Sequence, residues 1–136
     1  MSVAYSQKAV GFSSMFFNAE PRLPCVLLLD VSGSMEGPKI AALSRGLNEF
    51  LSAVRADSLA AKRVEIAIVT FGGSVNTVQA FADVAGITPP SLVADGDTPI
   101  GAAIVEGFRL VDERRALYKQ AQLPSYAPWY VLITDG

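Results

Sequence analysis

Asp30, Ser32 and Ser34 occupy alternate positions in the sequence, and Thr98 and Asp135 lie far along the chain from them. Every one of these side chains ends in a hard oxygen donor. Carboxylate and hydroxyl oxygens, completed by water, suit Mg²⁺ or Mn²⁺ and disfavour softer ions. Gly33, between the two serines, permits a tight loop that turns alternate side chains toward one point. Two carboxylates brought close together at a partly desolvated place repel strongly unless a cation lies between them. The chemistry these residue types point to is the holding of a divalent cation.

Such residues must be carried to one place by the elements between them. Residues 24 to 30 (PCVLLLD) are a continuous apolar run ending in Asp30, the pattern of a parallel-sheet strand buried on both faces. Polar and glycine-rich residues follow, and Pro38 suits the opening of a helix. From there Ile40, Leu43, Leu47, Phe50, Leu51 and Val54 recur at helical spacing. Residues 64 to 71 read as a second buried strand, stopped by Gly72 and Gly73, with residues 75 to 82 as a shorter, weaker hairpin partner. Residues 86 to 97, which include Pro89, Pro90, Asp95 and Asp97, read as a loop.

A second long helix is expected from about residue 99 to 120, with Ile100, Ile104, Phe108 and Val111 along one face and Thr98 as its N-cap. Residues 129 to 134 (WYVLIT) then form a third buried strand, ending at Asp135. This order is an α/β pattern, and right-handed crossovers place helices on both faces of a Rossmann-like, doubly wound, mostly parallel sheet. Ligands bind such a sheet at the carboxyl edge, where strand order reverses. If the first and last strands are neighbours, Asp30 and Asp135 converge there.

Composition removes several other chemistries. The chain has 136 residues, enough for one domain, and 51% hydrophobic against 18% charged residues gives ample core material. A net charge of −2 with no basic run argues against nucleic acid and acidic membranes as partners. There is no histidine, which excludes Ser-His-Asp and Cys-His catalysis and every imidazole metal site. Cys25 is the only cysteine, so neither an intrachain disulfide nor a thiolate cluster can form, and its apolar surroundings read as those of a buried thiol. The stretch from Gly33 to Lys39 lacks the Walker pattern. Residues 1–20 read as an N-terminal extension and a poor secretory signal, with Phe12, Phe16 and Phe17 packing on the domain surface. No apolar run is long enough to span a bilayer, so a cytoplasmic location is expected.

Three segments carry a family resemblance. Residues 28–35 (LLDVSGSM), 97–101 (DTPIG) and 132–136 (LITDG) resemble, in order and in element, the metal-ion-dependent adhesion site of von Willebrand factor A-type domains. One Asp-x-Ser-x-Ser string arises by chance; three matched segments in the right order are far harder to reach by accident. The resemblance implies a domain over residues 21–136. It makes Asp30, Ser32, Ser34, Thr98 and Asp135 the ligands of Mg²⁺ or Mn²⁺, some through water, with an open position filled by an acidic side chain of a protein partner. No reaction is implied. It also implies a fold that continues past Gly136, so the chain is read as the N-terminal, metal-site portion of a truncated domain. Strand 129–134 then becomes an exposed apolar edge prone to self-association.

Residues 22–30 (RLPCVLLLD), 64–72 (VEIAIVTFG) and 97–103 (DTPIGAA) are further similar to bacterial TerY-type proteins. That resemblance implies a cytoplasmic role in tellurite resistance, stress or phage defence, beside a kinase and a PP2C-type phosphatase. Two other readings compete. A Mg²⁺-dependent phosphatase could use Asp30 as nucleophile, but haloacid-dehalogenase-type enzymes need Asp-x-Asp and the second position here is Ser32. A scaffold of the same fold without metal is the other.

Overall fold

In the computed structural model, residues 18–135 are described; residues 1–17, Phe12, Phe16 and Phe17 among them, and Gly136 lie outside that range. Strand β1 (Leu23–Asp30) sits at the centre of the sheet, and every residue after Leu23 in it is buried. Its odd and even positions feed separate cores. Cys25, Leu27 and Leu29 pack with Leu43, Leu47, Leu51 and Val54 of helix α1 (Pro38–Ala56). Val26 and Leu28 pack with Ala103, Leu110 and Val111 of helix α3 (Ile100–Gln120) on the other face. A continuous apolar run is thus what a strand covered on both sides requires.

The sheet has four strands in the order β3-β2-β1-β4. Strand β2 (Val64–Gly72) and strand β4 (Trp129–Ile133) flank β1 in parallel register, Leu23 opposite Val64 and Cys25 opposite Trp129. Strand β3 (Ser74–Asp83) returns antiparallel to β2 across the positive-φ turn at Gly73, with register irregularities near Ile66 and Ile68. The mostly parallel sheet with helices on both faces is the expected fold class. Among the described residues no helix is long and apolar enough to cross a membrane.

The structure corrects several expectations of detail. β3 is the longest strand rather than a short one, running ten residues; its outer side faces solvent, so its hydrophobic alternation is faint. β4 is not buried. It is the exposed apolar edge that the truncated-domain reading implied, with Trp129, Tyr130, Leu132 and Ile133 all exposed. Phe108 is half exposed and meets Tyr130 edge-on at 5.2 Å, while α3 buries Ala103, Gly107, Leu110, Val111, Arg114, Leu117 and Tyr118 instead. Helix α2 (Ser58–Arg63) was not anticipated. Asp57 ends α1 and caps α2, its side chain accepting from the N–H groups of Leu59 and Ala60 at 3.0 and 2.9 Å. The Asp-Ser pair at 57–58 was the readable signal.

The end of the sheet away from Asp30 is closed by a buried charge cluster. Glu65, 2% exposed, pairs with Arg114 at 2.7 Å and Arg22 at 3.4 Å and accepts a hydrogen bond from Tyr118. Arg22 also donates to the carbonyls of Glu20 and Asn18. This cluster ties the start of β1, the start of β2 and the end of α3 together. Cys25 is 1% exposed, and burial pushes its thiol up to about 11, as expected of a core cysteine.

Magnitudes separate the ion pairs. The exposed Arg109–Glu106 pair contributes about 0–1 kcal/mol, whereas removing one partner of a buried pair costs about 3–5 kcal/mol because the remaining charge is stranded. Glu65→Gln is therefore expected to lower stability by about 3–5 kcal/mol in urea unfolding. A loss below about 1 kcal/mol would mean that Arg22 and Arg114 find solvent in the variant.

Candidate metal centre

The chain leaves β1 for β2 on one side and later returns as β4 on the other, so strand order reverses beside β1. The crevice of a doubly wound sheet opens at such a point. Asp30 ends β1, and Asp135 follows β4 by two residues. The parallel pairing of Leu29 with Ile133 brings the two carboxylates to the same edge.

Asp30 is fully buried, and both of its carboxylate oxygens are engaged. Oδ1 accepts from the backbone N–H of Ser32 at 2.8 Å, and Oδ2 accepts from the Thr134 hydroxyl at 2.6 Å. Burial, the largest influence, pushes the carboxyl up. The hydrogen bonds from the Ser32 hydroxyl, Thr134 and the Ser32 N–H together outweigh it and hold Asp30 below the usual carboxylate range, with the Asp135 charge opposing them.

A chain of oxygens continues outward from Ser32. The Ser32 and Ser34 hydroxyls lie 3.1 Å apart, and Ser34 donates to Oδ1 of Asp135 at 3.1 Å. Oδ2 of Asp135 receives the Lys39 ammonium at 2.8 Å. That ammonium is the foremost cause holding the Asp135 carboxyl below its ordinary value, with Ser34 adding to it.

These spacings bear on whether the residues suit a cation. An octahedral ion with oxygen ligands at about 2.1 Å sets neighbouring ligands about 3 Å apart. Ser32, Ser34 and Asp135 offer oxygens at that separation. Among the described residues no group of three or more His, Cys, Asp or Glu side chains converges as a metal site. The donors this edge offers are two carboxylates and neutral hydroxyls, a set whose chemistry fits Mg²⁺ or Mn²⁺.

Thr98 stands apart from the other four. Its side chain is exposed and makes no hydrogen bond to Asp30, Ser32, Ser34 or Asp135. Nor is it the N-cap: that position falls on Pro99, without a side-chain cap bond, and Thr98 contributes only its carbonyl, which accepts from Ile100 N–H at 2.9 Å. Pro99, at ψ +65°, lies outside the helical range, so the helix begins at Ile100, one residue later than a Thr98 cap would set it. The loop that carries Thr98 is nonetheless fastened beside the site by main-chain bonds. Asp95 N–H donates to Val31 at 2.7 Å, Gly33 N–H to Gly96 at 2.9 Å, and Gly73 N–H to Asp97 at 3.1 Å.

Two glycines make that fastening possible. Gly96 has φ +79°, and a Cβ there would fall well inside contact distance of the Gly73 backbone. A Cβ on Gly72 would lie 2.5 Å from the Val31 oxygen and 2.7 Å from that of Asp95. The side chains of Asp95 and Asp97 are exposed, so these residues serve the loop through their backbones.

Lys39 and Thr134 are the site residues that sequence reasoning did not name. A signal existed for Lys39. It is the second residue of α1, in a first turn with no acidic residue, where the helix dipole disfavours a cation. Below it an apolar groove of about 530 Å³ opens between α1 and β4, lined by Met35, Leu43, Leu47, Phe50, Val131 and Ile133, with Lys39 and Asp135 at its rim.

A family model for the von Willebrand factor type A domain matches residues 25–136. Among solved structures, an uncharacterized protein from Alicyclobacillus acidocaldarius is 27% identical with a TM-score of 0.58, over 72% of this chain and 43% of that one. The PilB minor pilin from Streptococcus sanguinis is 18% identical with a TM-score of 0.66, over 86% of this chain and 30% of that one, and shows the shared fold alone. The chain thus spans less than half the length of either structure. No curated protein matches.

Gly96→Ala is expected to release the loop. Strain at a positive-φ position costs about 1–3 kcal/mol, and the Gly33 and Gly73 amides should exchange hydrogen about tenfold faster or more. Unchanged protection at both amides would show that the loop is held by something else.

Proposed function

Because this chain belongs to the von Willebrand factor type A family, which suggests a protein-interaction or adhesion-type module, we propose that its carboxyl edge is a metal-ion-dependent adhesion site. Asp30, Ser32, Ser34 and Asp135 would hold Mg²⁺ or Mn²⁺, with Thr98 joining from the neighbouring loop. The ion, when bound, supplies positive charge and an open position for an acidic side chain of a protein partner. The observation that carries this reading is the run of oxygens from Ser32 through Ser34 to Asp135 at ligand-like spacing, joined to the Asp30 carboxylate by the Ser32 N–H.

The chain's own residues do the positioning. The Ser32 N–H and Thr134 fix the Asp30 carboxylate at the closed end of the crevice. The tight turn at Gly33–Met35 projects Ser32 and Ser34 toward Asp135. Main-chain bonds keep residues 95–97 against that turn, and Thr98 follows them at the rim.

The module is proposed to be non-catalytic. Position 32, where an aspartate would be needed beside a phosphatase nucleophile, is a serine bonded into the oxygen chain. Within the family we place the chain with TerY-type proteins of bacterial stress response, tellurite resistance or phage defence, in the cytoplasm, with kinase and PP2C-type phosphatase partners. That placement is supported by residues 22–30, 64–72 and 97–103.

Mg²⁺ or Mn²⁺ at about a hundredfold excess over its dissociation constant is expected to raise the melting temperature by about 5–10 °C. Asp30→Asn, which keeps the size of the side chain, should remove that rise. Equal melting temperatures with and without either ion in the wild type would defeat the proposal. Capture of an acidic partner should likewise vanish in chelator, and chelator-resistant capture would move the interface elsewhere.

A further inference from the structure

Lys39 is a cation where helix electrostatics disfavour one. It lies in the first turn of α1, at the positive end of the helix dipole, with no acidic residue in that turn. Its partner comes from far along the chain: the ammonium sits 2.8 Å from Oδ2 of Asp135, while Ser34 takes Oδ1. Asp30 is differently served, since its oxygens are held by a backbone N–H and the Thr134 hydroxyl and it is shut from solvent. Of the two carboxylates at this edge, only Asp135 is paired with a lysine. The Lys39 side chain is 56% exposed and lies at the rim of the apolar groove, where its stem can rest on apolar surface while the ammonium reaches water.

We propose that Lys39 is an internal counter-cation that competes with a divalent ion for Asp135 and so sets the ion concentration at which the site fills. This rests on the metal-binding reading above. With the site empty, the ammonium neutralises one of two adjacent negative charges and keeps Ser34 and Asp135 aligned. Filling the site brings a second cation to the carboxylate whose Oδ2 already holds the ammonium, and a long, half-exposed lysine can swing into water to relieve that crowding of like charge. The exchange gains one net positive charge between the carboxylates, which favours the divalent ion, while the lost ion pair opposes it.

Titrating the full chain with Mn²⁺, and counting free ion by electron paramagnetic resonance, tests this directly. Lys39→Met keeps the stem and removes the charge, and it is expected to bind Mn²⁺ about three- to tenfold more tightly than wild type. Lys39→Arg keeps the charge and should stay within about twofold of wild type. In chelator Lys39→Met should melt below wild type, and saturating Mn²⁺ should close that gap. Equal Mn²⁺ affinities for wild type and Lys39→Met would overturn the competition and leave the metal site standing. Absence of Mn²⁺ binding in wild type, Lys39→Met and Lys39→Arg alike would overturn the metal site itself.

Discussion

Two carboxylates that the sheet brings to one edge, Asp30 and Asp135, must both be satisfied there, and the groups around them are arranged to do so. Parallel pairing of β1 with β4 forces Asp30 and Asp135 toward each other, and the Asp135 charge acts on Asp30 against its ionisation. The surrounding groups answer that repulsion in graded fashion. Near the core the answer is neutral: N–H and hydroxyl donors satisfy Asp30 where a full charge would be costly to bury. Toward solvent it is ionic, through an ammonium on a flexible stem. Ser32 and Ser34, which can donate or accept, connect the two regimes.

The opposite end of the molecule shows the same problem solved for permanence. Glu65 faces Arg22, Arg114 and Tyr118 with no exposed route for exchange. One end of the sheet is locked by buried charge, and the other keeps its charge accessible. That asymmetry makes the carboxyl edge the end of the sheet where charged side chains can exchange partners with solvent.

The core of this fold was legible because it depends on patterns that repeat. The 3.6-residue spacing of α1 is a helical period, and the short apolar runs of β1 and of residues 64–72, too short for helices and rich in Val, Ile and Leu, suit buried strands. The approach of Asp30 to Asp135 was readable only on the condition that the first and last strands are neighbours, which the sheet order meets, while Ser32 and Ser34 came from loop spacing and the family resemblance. What could not be read depends on partners far away in sequence. Residues 129–134 are apolar enough for a buried strand, and their pattern alone does not distinguish that from the exposed edge which the resemblance implied and the sheet order shows. Phe108 fits the helical stripe, yet the face of α3 toward the sheet belongs to Gly107 and Val111. Thr98 has the right type for a cap, but Pro99 shifts the helix start by one residue. Lys39 was hidden for the plainest reason, that its counter-charge lies 96 residues away.

The loop over residues 95–97 is held to the sheet by main-chain atoms, with glycine needed at positions 72 and 96. Backbone hydrogen bonds are indifferent to the side chains beside them. The side chains of Val93, Asp95 and Asp97 are exposed around the rim, and the attachment runs through main-chain atoms, those of Asp95 and Asp97 included. Evolution is therefore free to redecorate this rim one residue at a time. Paralogues could diverge in whom they recognise while inheriting the same scaffold unchanged.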